Sequence, residues 1–207
     1  MKHWVFDLDG TLVDSFNHYF LALEKIFKEH GATFSKDLHY NALTHSLHDF
    51  FKHHLGSDAV EPAFTILQKE SNEGALTIKP FTGLLPIIEG LRNQGSKIAV
   101  WTNRDLESAQ LILTHSGLEK FIEICVSGTC VTERKPHPEG LLRIVNHFDC
   151  NPSDITMVGD HEHDVQAAKS VGSRAIRASW HSYWDVGKCH HSDFQFFSVN
   201  ELKSIAL

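Results

Sequence analysis

Basic residues are too few and too scattered in this 207-residue chain to form a run: 19 lysines and arginines stand against 26 aspartates and glutamates, a formal charge of −7. Lacking a basic footprint, the chain is not expected to bind nucleic acid. No apolar stretch approaches the roughly 20 residues of a membrane span, and no charged and apolar leader precedes the strand-like residues Lys2 to Phe6. The prediction is no membrane contact and a cytoplasmic location. Four cysteines, at 125, 130, 150 and 189, show no CxxC spacing, and a chain of this size does not depend on disulfides for its core. Reduced, structural thiols are expected. Internal repeats and low-complexity segments are also missing.

What is present is an ordinary globular composition, 42% hydrophobic and 22% charged. The length fits one core of roughly 100 to 150 residues with one smaller insert, not two full-sized domains. Sixteen histidines make the net charge less negative on mild acidification. Short β-branched or apolar runs, at His3 to Phe6, Lys97 to Trp101, Glu123 to Val126, Ile155 to Val158, Ala175 to Ile176 and Phe194 to Phe197, alternate with amphipathic helical stretches. That alternation predicts an α/β fold, a doubly wound, mostly parallel sheet with helices on both faces. Gly31, Gly74, Gly95, Gly117 and Gly172 each follow a helical run and are expected to stop it in the left-handed conformation. The stretch from Ser15 to Lys79 breaks the alternation: it has helical period, with Phe16, Phe20, Leu23 and Phe27 on one face, and no convincing strand. The expected organisation is a core of residues 1–14 and 80–207 with a small α-helical insert at 15–79.

Chemistry is concentrated at strand ends. The first strand runs into Asp7-Leu8-Asp9-Gly10-Thr11, which sets two carboxylates at the end where open α/β sheets bind ligands. Repulsion between two such acids favours a cation or a proton between them, although Asp-Gly-Thr also fits a plain turn. Gly159-Asp160-His161-Glu162-His163-Asp164 follows the strand at Ile155 and adds more carboxylates. If these two strands are neighbours, Asp7 and Asp160 converge, and an all-oxygen site completed by water and phosphate suits Mg²⁺. Thr102 and Asn103 close the second strand, and Lys135-Pro136 opens a helix. Hydroxyl, backbone N–H and ammonium groups of this kind hold phosphoryl oxygens, and each alone also fits an ordinary strand end or cap.

In this order, Asp-x-Asp-Gly-Thr, an apolar strand ending in Thr, Lys-Pro and Gly-Asp-x-x-x-Asp resemble the four motifs of the haloacid dehalogenase-like hydrolase superfamily. The insert is similar to the helical cap of the branch with phosphoglycolate phosphatases and β-phosphoglucomutases. The resemblance implies a Rossmann-like core and a Mg²⁺-dependent phosphatase acting on a small phosphorylated metabolite. Asp7 is then the nucleophile that becomes an aspartyl phosphate, and Asp9 the general acid/base. Thr102, Asn103 and Lys135 hold the phosphoryl group; Asp7, Asp9 through its carbonyl, Asp160 and Asp164 serve the metal. A carboxylate at position 9 disfavours dehalogenation, and an insert without arginine disfavours a mutase that grips a second phosphate there. A catalytically dead sensor of phosphorylated ligands is the reading from another class. His161, Glu162 and His163 depart from the small or hydroxylated residues expected in the fourth motif. In the insert, His45, His48 and Lys52 are the candidates for choosing the leaving group.

Overall fold

The computed structural model describes residues 3–44, 46–181 and 189–207. Its strands are β1 (His3–Phe6), β2 (Ile98–Trp101), β3 (Ile124–Val126), β4 (Ile155–Gly159), β5 (Arg174–Ala178) and β6 (Phe194–Phe196). They form one sheet in the order β3-β2-β1-β4-β5-β6, and every neighbouring pair runs parallel. The helices are α1 (Phe16–Glu29), α2 (Lys36–Thr44), α3 (Leu47–Leu55), α4 (Val60–Ala75), α5 (Leu84–Asn93), α6 (Leu106–His115), α7 (Glu139–Phe148), α8 (Glu162–Ser170) and α9 (Val199–Ala206). None of the described helices is long and apolar enough to cross a membrane.

Every residue of β1, β2 and β4 is buried, which is why these strands read as unbroken apolar runs and not as alternating ones. On one face Val5, Ala99, Trp101, Met157 and Ala175 meet Leu141, Ile144 and Phe148 of α7 and Val165 and Ala168 of α8 in a continuous core. Burial of each large apolar side chain there contributes about 1.5–3 kcal/mol.

The chain divides into two compact units, residues 1–14 with 78–207, and residues 15–77. Ile78 and Lys79 go with the sheet: Asp14 N donates to Lys79 O, and Val13 forms a bridge to Pro80. The helical unit has its own core, in which Leu23, Ile26 and Phe27 of α1 pack with Phe34, Phe50, Phe51 and Ala63. Phe20 is only half-buried, with its ring 5.3 Å from that of Phe34.

Gly31, Gly95, Gly117 and Gly172 take positive φ after their helices, as expected, but Gly74 does not. It lies inside α4, where a Cβ would sit 3.4 Å from the ring of His18. The helix expected to open at Pro136 also starts later, at Glu139. The Lys135–Pro136 peptide is cis, and the Glu139 carboxylate accepts from the backbone N–H groups of Thr132 and Glu133.

Candidate active site

β1 lies between β2 and β4, so the strand order reverses at β1 and opens a crevice at the carboxyl ends. Asp7 leaves β1 with its N–H on Val158 O at 2.8 Å, and Thr102 leaves β2 with its N–H on Val126 O at 3.0 Å. Asp160 follows β4 directly. Because β1 and β4 pair in register, from His3 on Ile155 to Phe6 on Val158, Asp7 and Asp160 emerge at the same level. Asp7, Thr102, Lys135, Asp160 and Asp164 are all buried.

Lys135 Nζ is the hub. It donates to Asp7 Oδ1 at 2.6 Å and to the Trp101 carbonyl at 2.6 Å, and it lies 2.7 Å from Asp164 Oδ1. Three donors meet three acceptors, and the ammonium also sits 4.9 Å from the centre of the Trp101 ring. Burial works against this charge, but Asp164 and Asp7 outweigh it and hold the lysine above its ordinary pKa. Burial pushes the Asp7 carboxyl up to about 7 against the pull of Lys135, with Asp164 and Asp9 adding to the rise. Asp160 is also well above the usual carboxylate range, by burial first and then by the charges of Asp7 and Asp164, with Arg177 and Lys135 partly offsetting them.

The phosphate-binding candidates lie on the two loops beside this hub. Asn103 Oδ1 accepts from Lys135 N at 3.3 Å, so the end of β2 holds the Lys135 backbone. Thr102 Oγ1 accepts from Arg104 N at 3.1 Å. Arg104 was not singled out in the sequence, yet its guanidinium clamps Asp9, with Nε 3.0 Å from Oδ2 and Nη2 2.6 Å from Oδ1. The Asp9 side chain therefore turns to Arg104 and not to the Lys135 hub.

Asp164 enters from the first turn of α8, which His161 caps. His161 Nδ1 accepts from His163 N at 3.2 Å, and Asp164 Oδ2 accepts from His161 N at 3.0 Å. The unusual histidine thus does the work of a capping residue. Glycine is required at 159, since a Cβ there would lie 2.3 Å from Asp164 Cγ. His181 Nε2 lies 3.5 Å from Asp160 Oδ2. Burial keeps His161 and His181 neutral, near 4, aided by the positive charge of His163 in the first case and of Arg177 in the second. Arg177, on β5, also escaped the sequence reading; it is buried, and its Nε and Nη1 have no hydrogen-bond partner among the described residues.

Of the four proposed metal residues, Asp7 and Asp160 are brought together, Asp164 is engaged by Lys135 and the α8 cap, and Asp9 by Arg104. Among the described residues no three His, Cys, Asp or Glu side chains are grouped as ligands of one ion. Magnesium commonly takes only one or two carboxylates, with water and phosphate completing the shell, so the buried pair fits it. In the helical unit, His48 and Lys52 are exposed on α3, and His45 lies outside the described residues. Trp180 is held by its indole N–H, which donates to Thr11 O at 3.1 Å. The described cysteines are free thiols.

A buried acid and an ammonium at the switch point of a doubly wound sheet mark a ligand-binding α/β protein. The model of haloacid dehalogenase-like hydrolases matches residues 4–178, and the chain belongs to that family. It is 26% identical over 179 residues to the pyrophosphatase PpaX of Bacillus mycoides, covering 85% of this chain and 82% of that protein. It is 29% identical over 182 residues to a phosphoglycolate phosphatase of Aquifex aeolicus, covering 87% and 85%. The crystal structure of a predicted phosphoglycolate phosphatase from Haemophilus somnus superposes with a TM-score of 0.87 at 23% identity, over 100% of this chain and 98% of that one. That last likeness concerns the fold alone.

Proposed function

We propose that the protein is a Mg²⁺-dependent phosphatase that hydrolyses a small phosphorylated metabolite, such as a phosphoglycolate-like compound or a sugar phosphate, in the cytoplasm. One observation carries the reading: a buried carboxylate, Asp7, held on a lysine at the strand-order reversal and paired in level with a second buried acid, Asp160. In this reading Asp7 Oδ attacks phosphorus and the alkoxide leaves, forming an aspartyl phosphate; water then cleaves it. Asp9 protonates the departing oxygen and afterwards takes a proton from the attacking water. Lys135, Thr102 and Asn103 hold the phosphoryl oxygens. Magnesium on Asp7, Asp160 and the Asp9 carbonyl would neutralise phosphoryl charge and favour the ionised form of Asp7, whose pKa near 7 otherwise leaves it partly protonated at neutral pH. The helical unit, with His48 and Lys52, is the part assigned to choosing the leaving group.

The test is phosphate release from a panel of phosphate esters with Mg²⁺, comparing wild type with Asp7→Asn. An amide has the shape of the acid but is a poor nucleophile, so turnover should fall by at least about 10³-fold while circular dichroism stays unchanged. Activity within tenfold of wild type would remove Asp7 from the role of nucleophile.

A further inference from the structure

Trp101 touches Lys135 in two ways. Its carbonyl accepts from Nζ at 2.6 Å, and the ammonium lies over its indole ring, 4.9 Å from the centre. Any residue at position 101 would supply the carbonyl, since pairing of β2 with β3, Trp101 on Val126, fixes the backbone there. The ring is particular to tryptophan. It is fully buried on the sheet face that packs against α7, and two local rules are broken around it. The indole N–H has no hydrogen-bond partner among the described residues, and the second residue of α7 is Gly140, where a Cβ would overlap the ring at Nε1. An unpaired buried donor and a glycine within a helix are both unfavourable. A phenylalanine would be buried on the same strand face without the orphaned donor, so apolar packing alone does not account for an indole at this position.

The polar contacts of this ammonium change during the proposed reaction, and the ring does not. Asp7 gives up its carboxylate charge on becoming an aspartyl phosphate, and the N–H that it accepted then turns to a phosphoryl oxygen. A lysine is a point charge on a flexible stem with three rotatable donors, so its head shifts on losing a partner unless something else holds it. An aromatic face attracts the ammonium without accepting one particular N–H and without a charge that phosphorylation or a metal can cancel. Tryptophan gives the strongest attraction of this kind, and withdrawal from water strengthens it. The Lys135 side chain is only 3% exposed.

We propose that Trp101 is a positioning residue for Lys135: the face of its indole keeps the ammonium aimed at the phosphoryl group when Asp7 no longer holds it as a carboxylate. The ring touches no substrate and acts only through the lysine. The inference deepens the phosphatase reading and rests on it for the role of Lys135, whereas the seat of the lysine over the ring is measurable without turnover. Gly140 belongs to the same device, as the place where α7 makes room for the indole.

The first measurement is carbon–proton NMR of lysine-labelled protein, with the Lys135 ε-methylene assigned by through-bond correlation to its backbone. The ring current should displace that signal upfield in wild type, and the displacement should persist in Asp7→Asn, which keeps the shape of the acid but not its charge. A signal at the ordinary lysine position in either protein overturns the proposal. The second measurement is the affinity for inorganic phosphate with Mg²⁺, by calorimetry, of wild type, Trp101→Phe, Trp101→Leu and Phe148→Leu. Phe148 lies in the same core but at the opposite end of the sheet, against His3. Trp101→Leu should weaken phosphate binding about tenfold, Trp101→Phe about threefold and Phe148→Leu less than about twofold. Unchanged affinity in Trp101→Leu, an equal loss in Phe148→Leu, or a Trp101→Phe protein no better than Trp101→Leu overturns the proposal. On phosphate esters the two Trp101 variants should lose kcat/KM in the same order. Failure of wild type to hydrolyse any ester, with the NMR and phosphate-binding patterns present, strikes the phosphatase reading alone.

Discussion

In the α/β unit, burial of ionisable groups is balanced by charge: Lys135 sits among Asp7, Asp164 and a carbonyl, with all of them withdrawn from water. In the helical unit, His39 is buried among rings, with centroids 5.4 Å from Phe20, 5.5 Å from Tyr19 and 6.1 Å from Phe34, and it stays neutral. The first arrangement concentrates repulsive acids that need a cation or a proton among them. The second is a hydrophobic cluster in which polar rings, His39 and also His54 against Phe27 and Phe50, pack among phenylalanines. A unit built the first way holds a poised site at some cost to its stability, whereas one built the second way is organised for packing.

The largest effect expected from this contrast is at Lys135. Lys135→Met keeps most of the volume but removes the cation from the buried carboxyls of Asp7 and Asp164, and should cost roughly 3–5 kcal/mol in urea unfolding without metal. The loss should be greater at pH 8 than at pH 6, because Asp7 and Asp160 are then forced to ionise beside one another. Adding Asp7→Asn should recover part of it. A cost below about 1 kcal/mol would mean that charge balance is not what holds the α/β unit's site together.

A smaller effect separates the units by one kind of substitution. Gly159→Ala sets a Cβ 2.3 Å from Asp164 Cγ, where the acid is fixed by Lys135 and the α8 cap, and should cost about 1–3 kcal/mol. Gly74→Ala in the helical unit meets only the His18 ring at 3.4 Å, within a helix whose φ is ordinary. It should be neutral or stabilising by up to about 1 kcal/mol, as alanine is the better helix former. Equal costs at both positions, measured by thermal unfolding, would break the contrast.

Much of this was legible before the structure. Strands buried on both faces leave unbroken apolar runs, and acids at their ends stand out because the sheet brings those ends to one edge. Pairings across long separations left no such trace. Arg104 and Asp9 are 95 residues apart, and neither periodicity nor spacing links them. Arg177 sits in a strand otherwise read by its apolar neighbours. Gly74 was misassigned because a glycine near a helix end and one inside the last turn look alike until the packing of His18 is known. The late start of α7 depends on Glu139 capturing two N–H groups upstream, a side-chain choice that a Lys-Pro signal does not contain.

The smallest effect is a difference of slope with pH. His39 titrates near 4 when folded and near 6.5 when unfolded, so the neutral ring's stability is present above 6.5 and is lost as pH falls from 6.5 towards 4. Asp7 has the opposite sign: its folded value of about 7 lies above the unfolded 3.8, so its contribution is present below 3.8 and is lost as pH rises through 7. Between 4 and 6.5 acidification therefore weakens the protein through His39 while strengthening it through Asp7; His161 and His181, also near 4, side with His39. His39→Phe should remove one contribution and flatten the acid-side loss, whereas Asp7→Asn should remove the other and steepen it. Urea midpoints of the three metal-free proteins at half-unit steps from pH 4 to 7 measure both slopes. Curves parallel to wild type for His39→Phe would mean that the ring takes up its proton in the folded protein as readily as in the unfolded chain. The ring would then titrate near 6.5, and the helical unit would not be holding His39 neutral by burial.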